Sequence, residues 1–215
     1  VIYAGGQRFD GGVLNKPGSN GYTHGMHVGG TIAAAKNGVG MHGVAYDSDI
    51  FSAKSPLSSS YASVFSREMN ALYNNGVRAI NHSWGLKEWK DAINNLIQDS
   101  QKVFSDAVLA AISASAKKEV IQVSALGNDF LGKNNNPGNY ASLYPYFDPS
   151  VKDYWISVAN VDQDHKIYEE SNHCSISADW CLAAPGSDIY SSIVKENISS
   201  PEESPYSYES WYGTS

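Results

Sequence analysis

Short strand-like patterns alternate along this chain with longer stretches in which apolar residues recur at the spacing of a helix. The strand candidates lie at residues 77–83, 120–126 and 155–161. The helical stretches lie at residues 24–35, 65–73 and 93–112. This order predicts an α/β fold in which helices cover a mostly parallel sheet, a three-layer αβα arrangement.

Small turn segments follow two of the predicted strands. Ser83-Trp84-Gly85 ends the first strand, and Gly127-Asn128 follows the second. Because ligand sites in parallel sheets form at the carboxyl ends of strands, both segments are candidates for a functional site.

The remaining local patterns give less regular predictions. Short strands are predicted around residues 50–53 and 189–193, and the polar segment 196–210 is predicted to be an exposed loop. In the first predicted helix, His24, Val28 and Ala35 share one face.

Composition limits the class of protein. A chain of 215 residues with 42% hydrophobic and 17% charged residues is long and apolar enough to bury one core, so we expect a single domain. Its 15 Lys and Arg against 22 Asp and Glu give a net charge of −7 without a basic cluster, which argues against nucleic-acid partners. From the sequence we expect no membrane-spanning segment and no signal peptide within these residues.

Cys174 and Cys181 are the only cysteines. Their separation is compatible with a small disulfide-closed loop, which would indicate an oxidising compartment, and equally with two buried thiols. Spacing alone leaves both interpretations open.

His24 is a candidate catalytic base, since it precedes Gly25 at the start of an apolar, glycine-rich helix. A surface or capping histidine is the ordinary alternative. A metal pair with His27 is a further one, but no Cys, His or carboxylate pattern nearby completes a ligand set. The sequence therefore predicts no metal and no cofactor.

Six segments resemble the subtilisin-like serine proteases, in the order that this family has them. Residues 24–34 resemble the histidine motif, and residues 37–45 resemble its continuation. Residues 80–85 resemble the substrate-binding strand, and residues 124–128 resemble the segment that ends in the oxyanion asparagine. Residues 184–186 resemble the turn before the serine region, and residues 213–215 resemble the start of the nucleophile motif.

The resemblance implies catalytic roles for three residues. His24 is expected to be the general base, Ser215 the nucleophile and the Asn128 amide an oxyanion donor. Without the resemblance, Asn128 would be taken for a turn or capping residue and Ser215 for an ordinary exposed serine.

The resemblance also implies a substrate, which is a peptide bound in extended conformation by strand addition. Two three-residue segments are expected to line its site: Ser83, Trp84 and Gly85 on one side, and Ala125, Leu126 and Gly127 on the other. For Trp84, ordinary packing in the core is an equally good interpretation.

Residues 171–174 and 180–186 resemble the cysteine loop of subtilisin-like passenger domains of bacterial autotransporters. This resemblance implies a Cys174–Cys181 disulfide, export to the cell surface or medium, and a membrane translocator domain outside the chain.

The sequence departs from the family pattern before His24. Asp10 is the only carboxylate there, and Asp10-Gly11 has the character of a turn instead of the family's Asp-Ser/Thr-Gly. We therefore expect residues 1–215 to form a partial, incomplete subtilisin-like domain. It would lack the aspartate strand and the helix after Ser215, which complementary fragments would supply. The predicted function is a serine endopeptidase, with an inactive peptide-binding or adhesin passenger domain as the alternative.

Overall fold

The computed structural model describes residues 20–51, 61–84, 106–128, 140–195 and 206–215. The chain divides into two compact units. The first comprises Val1–Lys54 and Asp188–Tyr212, and the second comprises Ser55–Ser187 and Gly213–Ser215.

Within the described residues, the helices and strands follow one another in mixed order. The α-helices are α1 (Asn20–Ala33), α2 (Tyr61–Asn74), α3 (Asp106–Ala116) and α4 (Tyr144–Phe147). The strands are β1 (Ala79–His82), β2 (Ile121–Ala125), β3 (Trp155–Val161), β4 (Cys181–Pro185), β5 (Ile189–Val194) and β6 (Tyr206–Trp211). Short 3-10 helices span Tyr140–Leu143, Pro149–Tyr154 and Ser175–Trp180.

The second unit is built on a parallel sheet with the strand order β1-β2-β3-β4. The predicted strands at 77–83, 120–126 and 155–161 coincide with β1, β2 and β3, so the predicted α/β class with a parallel sheet is confirmed. All four strands run the same way. The segments that follow them therefore emerge at one edge of the sheet.

The core of the second unit lies between this sheet and its helices. Fully buried side chains flank β2 and lie in α4 and the two neighbouring 3-10 helices, namely Val120, Leu126, Tyr144, Leu143 and Val151. Helix α2 ends where predicted, because Gly76 adopts a φ of 82° and Val77 N–H donates to the Leu72 carbonyl at 3.2 Å. Of the predicted helix 93–112, only residues 106–112 lie within the described ranges, and there the helix continues to Ala116.

The first unit packs α1 against an antiparallel hairpin of β5 and β6. Gly30 makes this close approach possible, because a Cβ at that position would collide with the hydroxyls of Ser191 and Ser192. The buried face of α1 carries Met26 and His27, so the face shared by His24, Val28 and Ala35 is only half-buried.

Two predictions for this unit were wrong. The polar segment 196–210 is not a loop throughout, because Tyr206–Trp211 forms β6. Tyr206, Tyr208 and Trp211 have high β-propensity, and the strand is completed by pairing with β5. Ile50 and Phe51 do not form a strand, while residues 52 and 53 lie outside the described ranges.

None of the helices in the described ranges has the length and apolar character that crossing a bilayer requires.

Candidate active site

His24 lies on α1 in the first unit, half-buried and parallel to the indole of Trp211. The two ring centroids are 6.5 Å apart with an interplanar angle of 9°. His27, one helical turn later, stacks directly on Trp211 at 4.6 Å. The aromatic ring that ends β6 thus borders both histidines.

His27 fastens the helix to the hairpin. Its Nε2 lies 3.0 Å from the Ile189 carbonyl oxygen and 3.2 Å from that of Glu209. Carbonyl oxygens only accept, so this nitrogen carries the proton and donates to both strands. That nitrogen is therefore engaged, which argues against a His24/His27 metal pair. Among the residues that the structure describes, no group of three or more His, Cys, Asp or Glu side chains could hold a metal ion.

The surroundings of His24 favour its neutral form. Burial lowers the pKa of His24 below its ordinary value, and the nearby His27 lowers it further. A general base must be unprotonated to accept a proton, so this shift extends the pH range in which His24 can act.

The segment that follows α1 closes the carboxyl end of the helix. Three consecutive N–H groups turn back onto it: Gly43 donates to Ala34, Val44 to Thr31 and Ala45 to Ile32, at 2.8–3.0 Å. These bonds satisfy carbonyls that a helix end leaves without partners. Glycine is required at position 43, because a Cβ there would collide with backbone atoms of Ile32, Ala33 and Ala34.

In the second unit, the chain end meets the segment after β2. Gly127, Asn128, Gly213, Thr214 and Ser215 form this region, here called the serine corner. Thr214 N–H donates to Asn128 Oδ1 at 2.8 Å, and Gly127 N–H donates to Thr214 Oγ1 at 3.0 Å. This reciprocal pair of hydrogen bonds joins the two segments.

The reciprocal bonds also orient the Asn128 amide. Its oxygen is taken by an N–H donor, so its Nδ2 is the atom left to donate elsewhere. Nδ2 lies beside Gly213, at 2.9 Å from where a Cβ on that residue would stand. Asn128 and Ser215 are both exposed, whereas Thr214 between them in this corner is buried. The structure thus brings two of the three predicted catalytic residues into one corner.

Backbone contacts place the chain end in this corner. Gly213 N–H donates to the Gly186 carbonyl at 2.8 Å, and Gly186 N–H donates to the Val161 carbonyl at the end of β3 at 3.2 Å. A side chain at position 186 would collide with the Gly213 carbonyl and with Asn160, so the turn after β4 needs glycine.

The predicted wall formed by Ala125, Leu126 and Gly127 follows β2 into the serine corner. Leu126 is fully buried, and its N–H donates to the Val158 carbonyl at 3.0 Å. Gly127 has a φ of 103°, a conformation that glycine adopts without strain. Asn172, which the sequence did not single out for a role of its own, occupies the carbonyls of Leu126 and Gly127 at 3.0 and 2.9 Å.

Ser83 and Trp84 follow β1 as predicted, and Gly85 lies outside the described residues. The Ser83 hydroxyl accepts a hydrogen bond from Asn81 Nδ2 at 2.6 Å. Trp84 is half-buried, and its indole N–H donates to His82 Nδ1 at 3.2 Å. Trp84 is thus neither a fully buried core residue nor a free surface residue.

His82 is a buried residue that sequence reasoning missed. Since Nδ1 accepts from Trp84, the proton resides on Nε2, which donates to Gln122 Oε1 at 2.9 Å. The ring also stacks on Trp155 at 5.7 Å. Burial lowers the pKa of His82 to about 4, although the Gln122 hydrogen bond acts in the opposite direction. Only its position in a buried strand could have pointed to this histidine.

The Cys174–Cys181 disulfide is confirmed, with the two Cα atoms 5.8 Å apart. It joins the segment before a 3-10 helix to the first residue of β4. Asp10, the only carboxylate upstream of His24, lies outside the described residues.

Comparison with known proteins assigns the chain to a family. The sequence model of the Subtilase family matches residues 9–215. Two extracellular serine proteases of Serratia marcescens are 28% and 30% identical over 79% and 80% of this chain. Serotype-specific antigen 1 of Mannheimia haemolytica is 36% identical over 55% of it. The chain spans about one fifth of the length of the two Serratia proteins, with 19% of each covered.

Solved structures agree in fold. The prenylagaramide maturation protease PagA superposes with a TM-score of 0.62 and 21% identity, covering 91% of this chain and 60% of its own. Fervidolysin from Fervidobacterium pennivorans gives a TM-score of 0.61 and 23% identity, covering 90% of this chain and 27% of its own. With the family match over residues 9–215, these likenesses establish that the chain belongs to the subtilase family.

Proposed function

We propose that this chain carries the catalytic residues of a serine endopeptidase, with Ser215 as nucleophile, His24 as general base and Asn128 as oxyanion donor. The observation that carries the proposal is the hydrogen bond from Thr214 N–H to Asn128 Oδ1, supported by the bond from Gly127 N–H to Thr214 Oγ1. It leaves the Asn128 Nδ2 to donate in the corner that holds Ser215. Membership of the subtilase family supports it, and so do the relatives named as serine proteases.

The reaction follows from the chemistry of these groups. Ser215 Oγ attacks the carbonyl carbon of the scissile bond while its proton passes to His24, and the carbonyl oxygen becomes an oxyanion. Asn128 Nδ2 and the Ser215 backbone N–H donate to that oxyanion. His24 then returns the proton to the leaving amine as the C–N bond breaks. Water hydrolyses the resulting ester by the same steps.

The orienting carboxylate of the triad is not assigned among the described residues. A neutral histidine with a lowered pKa still accepts a proton, but it needs a partner to fix its tautomer and to stabilise the imidazolium. In this proposal that partner is an aspartate, as in the family that the chain belongs to.

The proposed substrate is a peptide in extended conformation. Subtilases act on peptide bonds, and Ser83 and Trp84 after β1 and Gly127 after β2 are half-buried residues that strand addition could use. Ser83, Trp84 and Gly85 would form one wall, and Ala125, Leu126 and Gly127 the other. Since Ala125 and Leu126 are buried and Asn172 bonds to the carbonyls of Leu126 and Gly127, this second wall would contact substrate through the half-buried Gly127.

Covalent labelling tests the proposal directly. A fluorophosphonate probe should modify the intact protein at Ser215, and Ser215→Ala should abolish labelling. Replacement of the exposed Ser175 by alanine serves as control. His24→Ala should slow labelling by at least about 1,000-fold, since the hydroxyl then lacks its base. An intact, folded protein that forms no adduct would refute the protease and favour the inactive peptide-binding or adhesin alternative.

We also propose that the protein is exported. The disulfide supports this, since such bonds persist in oxidising compartments, and so do the two relatives named extracellular. A translocator domain and complementary fragments outside this chain belong to the same proposal. Fractionation of the producing cells, followed by mass spectrometry of the secreted product, would identify them. Recovery of the protein only from the cytoplasm, with reduced cysteines, would contradict export.

A further inference from the structure

Asn172 contacts the residues next to Asn128 from the buried side. Its Nδ2 donates to the Leu126 carbonyl at 3.0 Å, and its backbone N–H donates to the Gly127 carbonyl at 2.9 Å. The residue is 1% exposed, so both bonds form away from bulk water. Two consecutive carbonyls immediately before Asn128 are thus held by one residue.

Asn172 is itself held by its neighbours. Ser171 Oγ accepts from Asn160 N–H at 2.9 Å and donates to the Asn172 carbonyl at 3.1 Å. Two residues later, Cys174 is bonded to Cys181, the residue of β4 that pairs with Ser157 of β3. The disulfide therefore ties the segment containing Asn172 to the sheet.

The conformation of Gly127 explains why such support matters. Gly127 has a φ of 103°, and as a glycine its backbone can adopt more conformations than that of other residue types. Its carbonyl belongs to the peptide group that continues into Asn128. Fixing that carbonyl fixes the peptide plane, and with it the positions of the N and Cα atoms from which the Asn128 side chain starts.

From this geometry we infer that Asn172 is a positioning residue for the oxyanion asparagine, and that the Cys174–Cys181 loop holds it in place. The inference rests on the proposed function, in which Asn128 stabilises the oxyanion. Asn172 touches no reacting atom and acts through the Leu126 and Gly127 carbonyls.

A double-mutant cycle in the intact protein tests the inference. Asn172→Ala should lower kcat by about tenfold with little change in KM, because the loss of one buried hydrogen bond loosens a group that acts in the transition state. In an Asn128→Ala background the same change should have almost no effect on kcat. Asn172→Asp, whose carboxylate cannot donate to Leu126, should behave like the alanine variant. Asp179→Asn, which removes an exposed ion pair with Lys152 in the same disulfide loop, is the matched control.

Amide hydrogen exchange supplies a readout that does not need activity. The Gly127 and Thr214 N–H groups should exchange about tenfold faster in Asn172→Ala, since both are bonded within the corner that Asn172 supports. Unchanged exchange there, or an equal loss of kcat with and without Asn128, would overturn the inference. If the wild type forms no fluorophosphonate adduct, the proposed function fails by itself, and the exchange rates still decide whether Asn172 positions the corner. Should the alanine variant not fold, Asn172→Ser provides the same comparison.

Discussion

His24 and Asn128 are held in place by different kinds of contact. His24 stands on a helix that packs onto a hairpin through small residues and stacked rings, with Gly30 against Ser191 and Ser192 and His27 against Trp211. Asn128 follows a strand and is held by directed hydrogen bonds to the chain end. The position of His24 therefore depends on how closely the side chains around its helix pack, whereas the position of Asn128 depends on hydrogen-bond donors and acceptors.

This difference determines which substitutions each region tolerates. Substitutions that add volume should destabilise the first unit most, because its closely packed side chains leave no space for an additional methyl group. In the serine corner, loss of a donor or acceptor should matter more than a change of volume, because each bond there joins two different loops.

The largest effect in this comparison is expected for Asn128→Ala. Loss of an oxyanion donor typically lowers kcat about 100- to 1,000-fold. The free energy of unfolding should fall by only about 0.5–1.5 kcal/mol, because the substitution also removes the acceptor of the Thr214 N–H. Steady-state kinetics and chemical denaturation measure the two effects separately. Asn75→Ala is the control, since this exposed asparagine directly follows α2 and donates to the Ala71 carbonyl of that helix. A reduction of kcat by less than about tenfold would show that the serine corner does not stabilise the oxyanion through the Asn128 amide.

The next effect concerns the pH dependence of stability in the second unit. The pKa of His82 is about 4 in the folded protein and about 6.5 in the unfolded chain, so the native state binds fewer protons between these values. The contribution of His82 to the stability of the native state is therefore fully present above pH 6.5 and is lost as the pH falls to about 4. The shift corresponds to about 3 kcal/mol. Denaturant unfolding of the wild type and of His82→Gln at pH 7 and pH 4 measures it, and the variant should lack this part of the pH dependence. A histidine titration by NMR that places the His82 pKa near 6.5 would contradict the buried, neutral ring.

Local pattern predicted much of the second unit and less of the first. Strand β3 coincides with residues 155–161 because five of its seven residues are apolar and only Ser157 and Asn160 interrupt the run. Strand β6 was missed because its Tyr-Ser alternation is stabilised by pairing with β5, a contact that no local window contains.

The residues of the candidate site also fall into two groups, those that a local segment predicted and those that only long-range contacts position. Asn128 and Ser215 were predicted because each belongs to a short segment with a family resemblance, and the disulfide followed from a third such segment. Asn172 and His82 owe their positions to hydrogen bonds with residues 46 and 40 positions away, Leu126 and Gln122. Such partners are specified by the fold as a whole, and neither periodicity nor residue spacing reveals them.

A smaller effect, on stability alone, contrasts two glycines of α1. Gly30→Ala should lower the free energy of unfolding by about 1–3 kcal/mol, because the new Cβ meets Ser191 Oγ, which is already bonded to the His27 carbonyl at 2.7 Å. Gly25→Ala meets nothing within 4 Å and should stabilise the helix by up to about 1 kcal/mol. Chemical denaturation of both variants measures the difference. Equal effects of the two substitutions would show that volume does not limit this packing.

The smallest effect concerns the acidic limb of the pH–rate profile. His24 must be neutral to act as base, so kcat/KM should fall as the pH drops through its pKa, which burial and then His27 hold below the ordinary value. In His27→Gln one of these two causes is removed, and the acidic limb should move to higher pH, although burial still holds the pKa down. His42→Gln removes a histidine from an exposed part of the same unit and should leave the limb in place. If the acidic limb of His27→Gln moved to lower pH instead, electrostatic repulsion from His27 would not be a cause of the lowered His24 pKa. Burial of His24 would then have to account for the whole shift.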